Sequence, residues 1–226
     1  MTDSTDLVSN FRSIATTRKP RKFKVPLDNV GNIQRVSEYY GELIFDFKTS
    51  SEISETVKKD IIQAIESGTQ VKKEQAEVVA KAVTDWATRN GATHFCHWFQ
   101  PLTGGTAEKH DAFLTLKDGK PIERLSATQL MQGEPDASSF PNGGSRSTFE
   151  ARGYTTWDLT SPMFLIEGEN GRTLCIPTAF ISYKGDALDV KTPLLKSINV
   201  LGKEATKFLN LIGHKDTTHV HVTCGA

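Results

Sequence analysis

The feature that most constrains this chain is a change of hydrophobic period near residue 92. Before it, apolar residues recur every three or four positions, and after it they alternate with polar residues. The first period is that of a helix with one buried face, and the second is that of a half-buried strand. We therefore expect an α+β fold, with a polar arm and helices in residues 1–92 and a sheet region in residues 93–226.

Two helices are predicted before this change. Ser51 or Ser54 can cap the first, and Gly68 ends it. Its apolar stripe is Val57, Ile61, Ile62 and Ile65. The second runs from about residue 73 to residue 90, with inward positions Ala76, Val79, Ala80, Val83 and Ala87. The pattern indicates a packed helical hairpin, with no catalytic group visible on either helix.

Strand alternation begins in the segment from residue 94 to residue 99. It places His94, Cys96 and Trp98 on one face and Phe95, His97 and Phe99 on the other. His94 and His97 are therefore not expected to share a metal ion. Further strands are predicted at 112–117, 122–125, 147–154, 163–167, 172–177 and 179–182, with a short helical turn from Ser126 between the second and third. Together they indicate a mainly antiparallel sheet.

The remaining segments carry weaker patterns. Residues 27–47 look irregular, and Leu7, Phe11 and Ile14 suggest a short docking helix in the arm. A long helix is predicted over 193–212, with Pro193 in its first turn. His219 and His221 then alternate on a predicted strand. That spacing could hold a metal, but we favour a strand edge because no carboxylate lies near them in the sequence.

A loop of small residues is the first candidate for function. Residues 142–145 read Asn-Gly-Gly-Ser, and Arg146 and Arg152 follow within a strand length. Glycine backbones and guanidinium groups suit a carboxylate or phosphate, since each guanidinium can donate two parallel hydrogen bonds. The same residues also fit an ordinary hairpin turn with arginines on its wet face. Both interpretations stay open.

The second candidate is the segment from residue 97 to residue 111. It combines aromatic, amide and hydroxyl groups at Trp98, Gln100 and Thr103 with a run of charge at Lys109, His110 and Asp111. Such groups must be paired when they are buried. They therefore either line a polar cleft or lie in solvent.

Three ordered segments carry a family resemblance. Residues 97–113 (HWFQPLTGGTAEKHDAF), 144–162 (GSRSTFEARGYTTWDLTSP) and 185–197 (GDALDVKTPLLKS) resemble the amino-terminal region of type III glutamine synthetase. The resemblance implies a β-grasp-like sheet in residues 93–226 together with the helix over 193–212. It also implies that a loop of this region reaches a neighbouring subunit's active site.

The resemblance assigns candidate residues to that loop. They are Gly143, Gly144, Ser145 and Arg146, with Arg152 and Asp158 behind them. The residue that assists ammonium stays open, with Glu150 and Asp158 as candidates. The family-signature segment contributes His97, Trp98, Gln100, Thr103, Lys109, His110 and Asp111, whose individual roles are unassigned.

The resemblance further implies an ATP-dependent glutamate–ammonia ligase of glutamine biosynthesis and nitrogen metabolism. The complete enzyme would use ATP with Mg or Mn and form a ring-type homo-oligomer. No part of these 226 residues resembles the family's catalytic barrel or its metal ligands. We therefore expect an inactive fragment that binds no cofactor or metal by itself. The alternative is a non-catalytic binding or assembly module that docks onto full-length synthetase subunits.

Composition narrows the partners. Lysine plus arginine and aspartate plus glutamate both number 27, so the formal net charge is zero. This balance gives no electrostatic reason to expect nucleic acid or an anionic membrane as a partner. Cys96, Cys175 and Cys224 are widely spaced, so a disulfide framework is not expected. No apolar run approaches the roughly 20 residues of a membrane span. We expect a cytoplasmic protein, although the basic run at residues 18–22 could be either a targeting signal or a solvated arm.

Overall fold

The computed structural model describes residues 13, 17, 25–102, 105–136, 139, 152–168 and 171–222. Its contacts divide the chain into two compact units, Met1–Glu42 and Leu43–Ala226. The division predicted after residue 92 stays a prediction. Among the helices that the structure describes, none combines the length and hydropathy required to cross a membrane.

The first unit contains a short turn and a short helix. A bridge joins Leu27 to Ile33, and the Asp28 carboxylate closes the turn by accepting from the backbone N–H of Asn32 at 2.9 Å. Helix α1 (Val36–Glu42) follows. The prediction that residues 27–47 are irregular was wrong for this helix and for strand β1 (Ile44–Phe45) in the second unit. Helix α1 was not predicted because none of its residues is buried, so it carries no apolar stripe.

The two predicted helices are confirmed as α2 (Glu55–Ser67) and α3 (Lys73–Arg89). Ser54, rather than Ser51, caps α2 by accepting from the backbone N–H of Val57. Gly68 ends this helix with a φ of 65°, a left-handed conformation that favours glycine. Helix α3 buries the predicted stripe completely: Ala76, Val79, Ala80, Val83 and Ala87 are each 0% exposed.

The sheet is open and mainly antiparallel, as expected. Its strands are β1, β2 (Ala92–Phe99), β3 (Ala107–Ala112), β6 (Gln132–Gly133), β7 (Tyr154–Trp157), β8 (Met163–Gly168) and β9 (Gly171–Ile181). The main order is β1-β8-β9-β2-β3, with β7 also on β9 and β6 on β7. Strands β2 and β9 run parallel. Strands β4 (Leu114–Lys117) and β5 (Lys120–Glu123) form a separate hairpin, and helix α4 (Ala127–Met131) follows it with Ser126 as cap.

Strand β9 corrects the prediction of two strands divided near residue 177. It is continuous through Pro177, which has no N–H to give to the ladder. The carbonyl of Pro177 accepts from the backbone N–H of Asp158 at 3.0 Å, and the Thr178 hydroxyl donates to the carbonyl of Trp98 at 3.2 Å. The antiparallel strand that pairs with β9 changes from β8 to β7 at the same point. The strand therefore continues through Pro177 although this residue lacks a backbone N–H donor. Most of the strand predicted at 147–154 lies outside the described residues.

Helix α5 (Lys191–Leu211) confirms the long carboxy-terminal helix and begins two residues earlier than predicted. Its start is set by the buried Asp189, whose carboxylate accepts from the backbone N–H groups of Thr192 at 2.9 Å and Phe180 at 2.8 Å. The prediction of a strand around His219 and His221 was wrong, since residues 219–222 have no strand pairing. They lie along α5 instead, where a Cβ on Gly202 would be only 2.7 Å from the carbonyl oxygen of Val220.

Candidate functional site

The pairing of β2 with β3 divides the family-signature segment between two faces of the sheet. His97 is opposite Lys109, whereas Trp98 is opposite Glu108 and Cys96 is opposite His110. Directly opposed residues of an antiparallel pair share a face. The alternation expected for β2 is therefore observed, and groups that are close in the sequence belong to two different environments.

A pocket of about 390 Å³ opens where β2 ends against the middle of β9. Its walls come from the end of β2, the Pro177 region of β9, the turn before β8, and the start of α5. The lining residues are Trp98, Phe99, Gln100, Ser161, Pro162, Phe164, Pro177, Thr178 and Lys191. The rings of Trp98 and Phe164 meet edge to face with centroids 5.4 Å apart, which gives the pocket an apolar wall.

Lys191 supplies the charged group of this pocket. Its ammonium donates to the Asp158 carboxylate and, at 2.5 Å, to the Ser161 hydroxyl. The other oxygen of Asp158 accepts from the backbone N–H of Thr160 at 2.9 Å and from the Thr160 hydroxyl at 2.6 Å. Asp158 thus holds the ammonium in a fixed place at the pocket wall.

The protonation state of Asp158 follows from two opposing effects. Burial raises the pKa of this carboxyl, but hydrogen bonds from Lys191 and Thr160 outweigh burial and hold the pKa below its usual value. Asp158 is therefore an ionised counter-ion rather than a general acid. Because it already neutralises Lys191, the pocket offers directed hydrogen-bond donors instead of an unpaired positive charge.

The structure brings together some of the predicted site residues and separates others. Trp98 and Gln100 line the pocket, and Asp158 contacts it through Lys191 and Ser161. Arg152 is exposed and precedes β7, whereas Asp158 follows that strand. Even fully extended, six residues of chain span at most roughly 20 Å. The predicted residues Gly143, Gly144, Ser145 and Arg146, together with Thr103 and Glu150, lie outside the described part of the chain.

His97 lies on the opposite face and is only 2% exposed. Its Nε2 donates to the carbonyl of Gln129 at 2.6 Å, so Nδ1 is the unprotonated nitrogen. That Nδ1 is buried and has no hydrogen-bond partner among the described residues. Burial lowers the pKa of His97. The ring is accordingly a neutral part of the core under α4 and does not line the pocket.

The other residues of the signature segment lie on β3. Lys109 and Asp111 are half-buried, on the face that carries His97. His110 is exposed on the other face, with its Nε2 2.5 Å from a carboxylate oxygen of Glu108. The segment therefore contributes a pocket wall through β2 and a separate polar surface through β3.

Lys191 and Ser161 were missed as candidates from the sequence. A signal for Lys191 was present, because it stands two residues before Pro193 at the start of a predicted helix. A cation at a helix amino terminus is disfavoured by the helix dipole. A lysine in that position gains from a nearby carboxylate, but nothing in the sequence identifies Asp158 as its partner.

Three curated relatives are similar to most of this chain. "Glutamine synthetase" from Bacteroides fragilis is 47% identical over 212 residues, covering 93% of this chain and 28% of the relative. "Type-3 glutamine synthetase" from Dictyostelium discoideum is 48% identical over 169 residues, covering 74% and 23%. "Glutamine synthetase" from Butyrivibrio fibrisolvens is 29% identical over 204 residues, covering 85% and 27%. The chain therefore spans about a quarter of the length of these relatives.

A family described as "Glutamine synthetase type III N terminal" matches residues 36–197. This range is more than half of the chain and contains every residue that lines the pocket. It also contains the three sequence segments on which the resemblance rested. The chain therefore belongs to the glutamine synthetase type III amino-terminal family.

Proposed function

We propose that this chain serves as the amino-terminal part of an ATP-dependent enzyme that joins glutamate and ammonia to form glutamine. The observation that supports this proposal is the family match over residues 36–197, together with relatives that are named glutamine synthetase. In the proposed reaction, ATP activates the γ-carboxylate of glutamate as an acyl phosphate, and ammonia displaces the phosphate. Positioning and charge neutralisation dominate phosphoryl transfer of this kind.

The described pocket does not fit a Mg or Mn site for ATP. Such ions bind several oxygen ligands, usually including one or more carboxylates. The described pocket is served by a single carboxylate, that of Asp158, which is already bonded to Lys191 and Thr160. We therefore derive no metal step from this chain, and the proposal assigns the metal ligands to the rest of a full-length enzyme.

The proposed contribution of this chain is to build walls of the active site and contacts between subunits of a ring-type homo-oligomer. The loop residues Gly143, Gly144, Ser145 and Arg146, with Arg152, are proposed to reach the substrates. Lys191 and Ser161 add fixed donors at the pocket, and Trp98 adds an apolar wall. We further propose that the 226-residue chain alone does not make glutamine, and that the complete enzyme is cytoplasmic.

A chimera tests this function directly. The segment of the Bacteroides fragilis protein that aligns with this chain would be replaced by residues 1–226, since the two are 47% identical over 212 residues. Glutamine formation from glutamate, ammonia and ATP would be measured for the chimera, the native Bacteroides fragilis protein and the 226-residue chain. We expect activity in the first two. A chimera that folds and assembles like the native protein but forms no glutamine would contradict the proposal.

A further inference from the structure

A group of potential metal ligands lies on one face of the sheet and includes none of the groups that bond Lys191. Cys96 is in the central strand β2, and His110 is directly opposite it on β3. Glu108 is two residues from His110 and therefore projects from the same face. On the other side, β9 places Cys175 directly opposite Cys96. The three potential ligands thus come from two neighbouring strands, and the Cys175 thiol lies beside one of them.

The distances within this group suit a metal ion. One ligand atom each from Cys96, Glu108 and His110 lies within 4.8 Å of the other two. Tetrahedral zinc, with bonds of about 2.0–2.3 Å, separates its ligand atoms by about 3.3–3.8 Å. The side chains of His110 and Glu108 are 48% and 30% exposed, so both have room to rotate by the remaining distance. The short contact between them already holds the two side chains side by side.

The second cysteine strengthens the case. The Sγ atom of Cys96 lies 3.4 Å from that of Cys175, within hydrogen-bond reach, so a metal-bound Cys96 thiolate would have a neighbouring S–H donor. Both thiols are buried at 0% exposure, and both are free. A combination of sulfur, imidazole and carboxylate ligands is typical of zinc-class ions and unsuited to Mg or Ca, which prefer oxygen alone.

The competing interpretation is that the thiols of Cys96 and Cys175 form a redox-active pair. The Cys175 thiol and burial raise the pKa of Cys96. A protonated, buried thiol reacts slowly with oxidants, because the thiolate is the nucleophile. A bound metal ion reverses this protonation, since coordination removes the thiol proton outright. Metal binding at this place would accordingly release a proton and strengthen as the pH rises.

We propose that Cys96, Glu108 and His110 bind a divalent transition metal ion of the zinc class, with the Cys175 thiol next to the Cys96 ligand. The site ties β3 to the central strand β2 and lies on the face of the sheet that carries Trp98. It uses none of the residues that line the pocket. Metal binding does not require glutamine formation, so either proposal can fail without the other.

Cobalt titration tests this site. The 226-residue chain would carry Cys224→Ser, so that Cys96 and Cys175 are its remaining thiols. It would be stripped of metal by chelation, kept reduced, and titrated with Co²⁺ while the charge-transfer absorption of a cobalt–thiolate bond is recorded. We expect one equivalent to bind with that absorption, and Zn²⁺ to displace it. Glu108→Gln and His110→Gln should each weaken binding by at least about tenfold, because even partners outside the ligand set contribute that much.

Control variants show whether the ion binds at these residues or elsewhere on the chain. Cys96→Ser should abolish the thiolate absorption, but this buried change can also unfold the chain. The test therefore depends on His110→Gln, an exposed change whose folding is checked by circular dichroism. A double change of His219→Gln and His221→Gln should leave binding unaltered. The proposal is overturned if the folded chain shows no cobalt–thiolate absorption, or if His110→Gln binds cobalt as tightly as the chain with His110. It is also overturned if binding depends on His219 and His221, or if the protein as purified contains a Cys96–Cys175 disulfide.

Discussion

Gly133 lies so close to His97 that a Cβ added to the glycine would be 2.6 Å from the imidazole Nδ1. The same Cβ would be 2.9 Å from the hydroxyl oxygen of Thr155, which is buried and exchanges hydrogen bonds with the backbone of Gly133. Strand β6 can therefore approach the buried histidine only because this position has no side chain. The contact joins two segments that are more than thirty residues apart in the sequence.

Gly133→Ala should destabilise the protein by about 1–3 kcal/mol, because overpacking a closed core forces side chains or backbone to shift. The measurement is the urea concentration at the midpoint of unfolding. Gly41→Ala is the matched control, since a Cβ there meets no described atom within 4 Å and alanine favours the helix. Equal midpoints for Gly133→Ala and the unaltered chain would show that β6 moves away without cost.

Lys191→Met should destabilise the protein by about 1–3 kcal/mol. The change leaves the buried Asp158 carboxylate with Thr160 as its partner, and an uncompensated buried charge is costly. We place the value below the range for fully buried pairs because the Lys191 side chain is 33% exposed. The double variant Asp158→Asn with Lys191→Met should lose less than the sum of the two single losses. Strict additivity would show that the two side chains do not interact in solution.

Asp158 should also contribute to the acid sensitivity of the protein. Its pKa in the folded state is below the ordinary value of 3.8. The stability that it contributes is therefore fully present above about pH 4 and is lost as the pH falls through the folded-state pKa. Urea midpoints measured from neutral pH down to about pH 2 should fall more steeply for the unaltered chain than for Asp158→Asn. Parallel curves would contradict this assignment.

Arg146→Ala tests the loop that was singled out from the sequence, and it must be made in the full-length chimera. Removing a charge-assisted hydrogen bond costs about 1.5–3 kcal/mol, so the KM for glutamate or ATP should rise by roughly tenfold or more. Arg124→Ala is the control, because Arg124 is half-exposed and pairs with Glu77 on α3. Unchanged kinetics together with unchanged assembly would make the loop a purely structural turn.

Local patterns explain which parts of the fold were predictable. Helices α2 and α3 follow from apolar spacing and from the residues at their ends, such as Ser54 and Gly68. The faces of β2 follow from alternation, which requires no knowledge of its neighbours. Helix α1 could not be found in this way, because it buries none of its residues and so has no pattern to detect.

The site was less predictable because its contacts join distant segments. Trp98 and Gln100 were singled out in the sequence, but the ammonium beside them comes from Lys191, more than ninety residues later. Strand β9 continues through Pro177 since neighbouring segments satisfy the backbone there, and a proline by itself indicates an interruption. Which strands become neighbours was likewise invisible in the local pattern.

The sequence by itself determined the α+β class, the positions of the two helices and the long final helix, the faces of β2, and the membership of a glutamine synthetase family. These properties depend on the period of the apolar residues and on ordered motifs, both of which can be read along the chain. Only the tertiary structure decided that Lys191 pairs with Asp158 and that Cys96 lies between Cys175 and His110. The physical reason is that strand pairing joins segments that are remote in the sequence, and only the register of that pairing brings particular side chains into contact.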